Sequence, residues 1–331
     1  MLIGITSTIP SEIVYAAGHT PCDLNNIFIN DSNPQHYIEK AERSGFPVTG
    51  CAWIKGIYGV LGERPDITKI IVVSGGDCSN SIALGEVLKH DGHCIIPFSY
   101  PPTAETAAVE SSLNLLATEF MVTPEAIRPS KQKLDLIRCR LQELDRLTWQ
   151  EHRISGQENL EFLVSASDFR GAPEGFLETL ETFLETARQR PAKPPEIRLG
   201  LVGVPPILSD LFPTLESLGA EVLFNEVPRQ FAMPWAKSCS LAEQYSHYTY
   251  PYQFSRRVND IETAIQQRHL DGIIHYTQSF CFRQIEDIIL KREIDLPVLT
   301  LEADRPTTVD GRTLTRLETF IEMLRWKKSS K

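Results

Sequence analysis

Three of the seven cysteines follow apolar or strand-like runs and stand at or near the start of a helix-like segment. Cys78 follows the β-branched run 70–73, Cys281 follows the run 272–275, and Cys51 opens a helix-like segment of its own. The amino end of a helix has unpaired N–H groups and a positive dipole end, and both favour anions. The same setting lowers the pKa of a cysteine and makes its thiolate a better metal ligand. The three cysteines therefore predict a three-thiolate iron–sulfur site.

Any one of these cysteines alone is better explained as a buried structural thiol, because cysteine is among the most buried residue types. Their spacing differs from that of ferredoxins, and the sequence has no C-x-x-C pair of the kind found in zinc ribbons and thioredoxins. Metal binding is favoured by the placement of all three at the same predicted edge of two sheets. Three protein ligands would leave one iron of a cluster open to substrate.

The composition is typical of a globular protein, with 331 residues of which 42% are hydrophobic and 23% are charged. The net charge of -10 disfavours nucleic acid as a partner, because phosphate binding needs clustered Lys and Arg. No apolar stretch is long enough for a membrane span, and the first residues lack the basic segment of a signal peptide. We therefore expect a cytoplasmic protein whose cysteines are reduced or bind metal.

Strand-like and helix-like segments alternate over residues 1–103 and again over residues 191–331. Alternation of this kind predicts parallel sheets covered by helices, which is the α/β class. Residues 104–190 have apolar side chains at helical spacing and predict a helical segment between two α/β domains. The breakers in residues 190–195 mark the second boundary.

The sequence resembles the 2-hydroxyacyl-CoA dehydratase and benzoyl-CoA reductase family over nearly its whole length. Pro10 to Pro21 is similar to the opening motif of that family, and Gly76 to Asn80 resembles its second cluster-cysteine motif. The carboxyl-terminal part is similar in the order of five motifs: Arg256 to Ile261, Asp271 to Ile274, Phe280 to Cys281, Pro297 to Asp304, and Arg316 to Phe320.

The resemblance implies two Rossmann-like (flavodoxin-like) domains and a [4Fe-4S] cluster held by Cys51, Cys78 and Cys281. It also implies a homodimer or a heterodimer with a related subunit, and an ATP-hydrolysing iron–sulfur activator that delivers low-potential electrons. The implied chemistry is radical dehydration of a 2-hydroxyacyl-CoA or reduction of an aromatic acyl-CoA, in an oxygen-sensitive protein.

Three alternatives remain open at this stage. Homodimeric relatives carry a double-cubane [8Fe-9S] cluster and reduce small molecules, which requires six thiolates and would draw on Cys22 and Cys239. The chain could instead be a non-catalytic [4Fe-4S] partner subunit or an electron or cluster carrier. The third alternative is a metal-free α/β binding protein whose cysteines serve packing.

A few other residues are candidates for the site. His19 and Glu302 are candidate proton-transfer residues, although packing explains His19 better and a cap or ion pair explains Glu302 equally well. Hydrogen bonds to cluster sulfur tune its potential, and Gln278, Ser279 and Ser79 are candidates to donate them. Asp304, close to Glu302, is a further candidate acid or base.

Overall fold

The computed structural model describes residues 1–236 and 239–330 and divides into two compact units. The first unit comprises Met1–Gln142, Leu163–Glu181 and Gln230–Gln253. The second unit comprises Glu143–Phe162, Thr182–Arg229 and the residues from Phe254 onward. Each unit contains one four-stranded parallel sheet with surrounding helices, so the predicted α/β class is confirmed.

The sheet of the first unit has the strand order β2-β1-β3-β4. Its strands are β1 (Leu2–Ile5), β2 (Thr20–Asp23), β3 (Lys69–Gly75) and β4 (Cys94–Ser99). The central strands are β-branched, and Ile3, Ile5, Ile71 and Val73 are buried, as expected of parallel strands covered on both faces. This order is that of flavodoxin-like folds, in which ligands bind outside the carboxyl ends of the strands.

The sheet of the second unit has the order β6-β5-β7-β8, which repeats the connectivity of the first. Its strands are β5 (Ile197–Gly203), β6 (Ala220–Asn225), β7 (Gly272–Thr277) and β8 (Val298–Glu302). Strand β7 is buried along its whole length because it lies between β5 and β8 and is covered by helices.

Helices connect and cover these strands. In chain order they are α1 (Ser11–Ala16), α2 (Leu24–Asn30), α3 (Gln35–Arg43), α4 (Ala52–Leu61), α5 (Ser79–His90), α6 (Thr106–Glu119), α7 (Pro124–Trp149), α8 (Gly156–Val164), α9 (Pro173–Arg188), α10 (Leu211–Ser217), α11 (Glu226–Phe231), α12 (Leu241–His247), α13 (Phe254–Arg268), α14 (Arg283–Glu293) and α15 (Gly311–Ser329). None of the helices in the described ranges is long and apolar enough to cross a membrane.

Candidate functional site

Cys78 is held at the carboxyl end of β3 by a tight glycine turn. It is the N-cap residue of α5, and its sulfur makes no capping hydrogen bond to that helix. Gly76, two residues earlier, has a φ of +86°, and a Cβ there would lie 2.5 Å from Cβ of Pro251. The same Cβ would lie 3.0 Å from Cβ of Tyr100. Only glycine fits this turn, so the position of Cys78 depends on close packing against Pro251 and Tyr100.

Two polar side chains lie beside Cys78, one at its backbone and one at its thiol. Asp77 accepts a hydrogen bond from the backbone N–H of Cys78 at 2.8 Å and another from the Ser81 hydroxyl at 2.9 Å. The hydroxyl oxygen of Ser81 lies 3.7 Å from Sγ of Cys78, and Ser81 is buried. The sequence interpretation named Ser79, which is exposed at the first position of α5, and it missed Ser81 two residues further along the helix.

Cys51 has the same local position at the start of another helix. It is the N-cap residue of α4, and its carbonyl accepts a hydrogen bond from the backbone N–H of Lys55 at 3.1 Å. The buried ammonium of Lys55 donates to a carboxylate oxygen of Glu42 and to the carbonyl of Val48, each at 2.8 Å. Lys55 therefore fastens the segment that leads into Cys51.

Two glycines allow α4 to pack closely on its neighbours. A Cβ at Gly56 would lie 2.4 Å from the ring of Phe28 in α2, and a Cβ at Gly59 would lie 2.3 Å from the carbonyl oxygen of Tyr37 in α3. Helix α4 also packs against α5. The helices that begin at Cys51 and Cys78 are thus direct neighbours within the first unit.

Cys281 lies in the turn between β7 and α14 of the second unit. Its N–H donates to the carbonyl of Gln278 at 3.1 Å, and its carbonyl accepts from the N–H of Gln284 at 2.9 Å. The N–H of Ser279 donates to the Asp304 carboxylate at 2.7 Å, which ties this turn to the segment after β8. Phe280 has a φ of +60°, a strained conformation for a bulky residue.

A buried set of ion pairs supports the first turn of α14. Arg257 of α13 donates two hydrogen bonds of 2.7 Å to the buried carboxylate of Glu226 and one of 2.8 Å to Glu286 of α14. Burial alone would raise the pKa of Glu226, but the charge and hydrogen bonds of Arg257 lower it. Arg283, two residues after Cys281, is also buried and pairs with Glu286 at 3.3 Å. Charged groups thus hold the segment that contains Cys281.

A histidine of β7 joins α14 to the sheet. Nδ1 of the buried His275 lies 2.9 Å from the carboxylate of Asp287, which also accepts from Thr300 at 2.7 Å and pairs with Lys291. Burial lowers the pKa of His275, so the ring is neutral at pH 7 and donates from Nδ1 to Asp287. The pKa of Asp287 is lowered by Lys291, His275 and Thr300, although burial opposes the shift.

The other predicted site residues lie at the carboxyl edge of the second sheet or at the amino edge of the first sheet. Glu302 is exposed at the carboxyl end of β8 and accepts a hydrogen bond from Gln284, so it lies at the same edge of the second sheet as Cys281. Gln278 is buried there and Ser279 is half-buried. His19 instead precedes β2, at the amino edge of the first sheet, where its ring packs edge-to-face on Phe120. That position favours the interpretation of His19 as a packed residue.

The surroundings of Cys51 and Cys78 fit a cluster that takes thiolate ligands. Both residues are half-buried N-caps, and no acidic residue occupies the first turn of either helix. Negative charge on the two sulfurs would therefore meet the positive ends of two helices. Within residues 1–236 and 239–330, no group of three or more His, Cys, Asp or Glu side chains is arranged to hold a metal ion.

The remaining cysteines have less suitable surroundings. Burial and the nearby Asp168 raise the pKa of Cys22 to about 11, and burial also raises the pKa of Cys239. The thiol of Cys239 donates to the carbonyls of Trp235 and Ala236. Cys94 is exposed at the amino end of β4, and Cys139 lies within α7. These cysteines lack the helix N-cap position that Cys51 and Cys78 share.

The second unit contains a cavity of about 500 Å³. Its lining includes residues that precede β5, Glu216 before β6 and Glu221 in the first part of β6, at the amino edge of the sheet. Burial and the neighbouring Glu216 raise the pKa of Glu221 to about 7. Cys281 follows β7 at the opposite edge of the same sheet, so the cavity lies away from Cys281.

The family comparison covers nearly the whole chain. Residues 6–324 match the family model described as 2-hydroxyglutaryl-CoA dehydratase, D-component. Comparison with curated proteins gave no significant match. The matched residues include every strand of the two parallel sheets except β1, and all seven cysteines. The chain therefore belongs to the 2-hydroxyglutaryl-CoA dehydratase D-component family.

Proposed function

We propose that the protein is an iron–sulfur component of a 2-hydroxyacyl-CoA dehydratase system, in which Cys51, Cys78 and Cys281 supply the thiolate ligands of a [4Fe-4S] cluster. The observation that carries the proposal is the position of these residues in a chain of this family. Cys51 and Cys78 cap neighbouring helices, and Cys281 stands directly before the N-cap residue of α14. When bound, the cluster would transfer single electrons and act as a Lewis acid toward substrate.

The roles of the surrounding residues follow from their contacts. The backbone N–H groups in the first turns of α4 and α5 would stabilise the negative charge of the two thiolates. Ser81 is close enough to Cys78 for a weak hydrogen bond to its sulfur, and Lys55 keeps the segment before Cys51 in place. Glu302, exposed at the edge that carries Cys281, is our candidate for moving a proton to or from substrate.

The surroundings of the other cysteines support one cubane rather than a double cubane. A double cubane needs six thiolates. Cys22 and Cys239 are the additional candidates, and both have raised pKa values. A raised pKa disfavours the thiolate form that binds iron. Cys94 lies at the amino edge of its sheet, away from the carboxyl end of β3 that leads to Cys78.

The proposed reaction is dehydration of a 2-hydroxyacyl-CoA, with low-potential electrons supplied by an ATP-hydrolysing iron–sulfur activator. The test is anaerobic purification followed by assays of iron and acid-labile sulfide. One cubane gives about four irons per chain and a double cubane gives about eight. A colourless protein without iron after anaerobic reconstitution would contradict both forms.

A second candidate is a component that holds the cluster but does not turn over substrate alone. The matched family is described as one component of a dehydratase, and this favours the candidate. The purified chain with its activator would be assayed for water loss from 2-hydroxyacyl-CoA substrates. Turnover would exclude the second candidate. Iron without turnover, restored by a related subunit, would support it.

A further inference from the structure

We propose that the cavity of the second unit binds a small organic cation, a primary amine on an apolar body. The cavity has a volume of about 500 Å³, which lies within the range of roughly 300–1,000 Å³ that small-molecule sites have. Residues from three segments line it: 152–158, 190–196 and 216–221. All three segments belong to the second unit, so the site is formed within one compact body.

Hydrogen bonds hold one wall of the cavity in place. Arg190 donates two hydrogen bonds to the carboxylate of Glu158, at 2.8 and 2.9 Å. The N–H and the hydroxyl of Ser155 donate to the same carboxylate at 3.0 and 3.1 Å. Arg153 donates to the carbonyls of Arg188 and Arg190, which fixes the segment before β5. This wall is therefore held by contacts within the chain.

Two carboxylates on the lining lack a cationic partner of this kind. Glu221, in the first part of β6, is half-buried. Burial and the neighbouring charge of Glu216 raise the pKa of Glu221 to about 7, and a backbone hydrogen bond from Gly156 offsets this only in part. Among residues 1–236 and 239–330, neither Glu216 nor Glu221 forms an ion pair. Two carboxylates that repel each other in a cavity are stabilised by a positive charge between them.

The paired charges at the cavity cancel, and an excess of negative charge remains. The ion pairs are Arg190 with Glu158, Arg325 with Glu196, and Arg153 with Glu151. Glu216, Glu221 and Lys193 are left. Lys193 opposes the rise in the pKa of Glu216 that burial and Glu158 cause, but one lysine balances only one carboxylate. With both carboxylates ionised, a monovalent cation would make the cavity neutral.

The rest of the lining suits an organic ligand rather than a bare metal ion. Ile154 and Ala220 are buried. Three prolines add further apolar surface: Pro191, Pro194 and Pro195. In the part of the chain that the structure describes, no group of three His, Cys, Asp or Glu side chains is arranged to hold a metal ion. A cationic head at Glu216 and Glu221, with an apolar body against the proline rings, uses both kinds of surface.

The amine site does not depend on the iron–sulfur assignment. The cavity lies at the amino edge of the second sheet, whereas Cys281 follows β7 at its carboxyl edge. Only the folded second unit is needed to form the cavity. An amine bound here is therefore a separate ligand from the acyl-CoA substrate proposed above.

The test is isothermal titration calorimetry of the purified full chain with phenethylamine, which has a primary ammonium on an apolar ring. Phenethyl alcohol and hydrocinnamate have a similar size, but their heads are neutral and negative. We expect the amine to bind with a Kd below about 1 mM and the other two to bind at least about tenfold more weakly, because only the amine balances the carboxylates. An amine Kd above about 1 mM, or equal binding of the alcohol, would overturn the proposal.

Glu221→Gln removes the charge and keeps the size of the side chain, and Glu196→Gln is its matched control on the same lining. We expect Glu221→Gln to weaken amine binding at least about tenfold. Glu196→Gln should weaken it less than about threefold, since Arg325 already balances Glu196. Circular dichroism and thermal unfolding would verify that both variants fold. Equal losses in the two variants would contradict the assigned role of Glu221.

The pH dependence of binding gives a readout that loss of folding cannot imitate. Since the pKa of Glu221 is about 7 and only its ionised form attracts the ammonium, affinity should rise about tenfold from pH 6 to pH 8. His152, the other lining group that titrates near this range, has its pKa lowered by burial and by Arg198. Glu221→Gln should therefore flatten the profile to less than about threefold. A variant that keeps the wild-type pH profile would exclude Glu221 as the partner of the cation.

Discussion

The two sheets of this protein have the same strand order, but they hold their cysteine-bearing segments by different means. In the first unit a glycine turn and aromatic packing determine the position of Cys78. In the second unit buried charges from α11, α13 and α14 support the turn at Cys281. Parallel topology thus determines the edge at which a cysteine lies, whereas local packing or ion pairing determines how firmly it is held there.

The largest expected change in the free energy of unfolding comes from breaking the buried ion pair between Arg257 and Glu226 in the second unit. Arg257→Met should lower the free energy of unfolding by about 3–5 kcal/mol, because it leaves the buried carboxylate of Glu226 without its partner. Urea unfolding would measure this. Arg188→Met, which removes the more exposed pair with Glu143, is the control and should cost about 1 kcal/mol or less. Equal losses in the two variants would contradict the assigned role of Arg257.

The next largest loss of stability is expected from a substitution in the glycine turn before Cys78, which packs on Pro251 in the first unit. Gly76→Ala should cost about 3 kcal/mol, since the new Cβ meets both a positive φ and Pro251. Gly92→Ala has a similar φ of +93° with open space around it, and should cost only about 1–2 kcal/mol. The difference between the two variants in urea unfolding isolates the contact with Pro251. If they cost the same, that contact does not position the turn.

The two units should also differ in their response to pH. Burial and the nearby Asp23 raise the pKa of Asp168 in the first unit to about 7. The unfolded chain loses this proton at lower pH than the folded chain, so Asp168 destabilises the fold increasingly as pH rises from about 4 to 7. Asp168→Asn loses one of the two oxygens that accept from the N–H groups of Asp23 and Arg170, so it carries a constant cost, but its stability relative to the wild type should improve as pH rises from 4.5 to 7.

His275 in the second unit should lower the stability of the fold as pH falls, whereas Asp168 lowers it as pH rises. Burial lowers its pKa, so the unfolded chain binds a proton first as pH falls below about 6.5, and stability is lost there. His275→Gln should remove that loss. The measurement for both variants is the free energy of unfolding in urea at several pH values, as a difference from the wild type. Parallel pH profiles for the two variants would contradict the assigned protonation states.

The smallest expected effect concerns the hydroxyl beside Cys78. Ser81→Ala removes a hydrogen bond to Asp77 and should cost about 1 kcal/mol of stability. Ser79→Ala, at an exposed position, should cost less. In the iron-loaded protein, Ser81→Ala should also shift the reduction potential measured by spectroelectrochemistry, because hydrogen bonds to sulfur tune it. A larger shift from Ser79→Ala would favour the residue that the sequence interpretation named.

Much of the fold could be predicted because an apolar, β-branched run such as 70–73 forms a buried parallel strand whichever residues pack against it. Strand β2 was missed, since Thr20 to Asp23 contains a proline and pairs with β1 alone at the edge of the sheet. Sequence also predicted that Cys51 and Cys78 begin helices, because each precedes a run of helical spacing.

The supporting residues could not be predicted in the same way. Lys55 is buried only because Glu42 and Val48 approach it from an earlier segment of the chain. Glu226 and Arg257 are 31 residues apart, and only the folded second unit brings them together. A lysine in the otherwise apolar helix α4, one turn after Cys51, was the available signal for Lys55.

The most direct test of the central claim is the iron content of four single-cysteine variants purified and reconstituted without oxygen. We predict that Cys51→Ser, Cys78→Ser and Cys281→Ser each lose most of their iron and sulfide relative to the wild type. Cys139→Ser, within α7, should keep about four irons per chain. Full iron content in any of the first three variants, or loss in Cys139→Ser alone, would contradict the account.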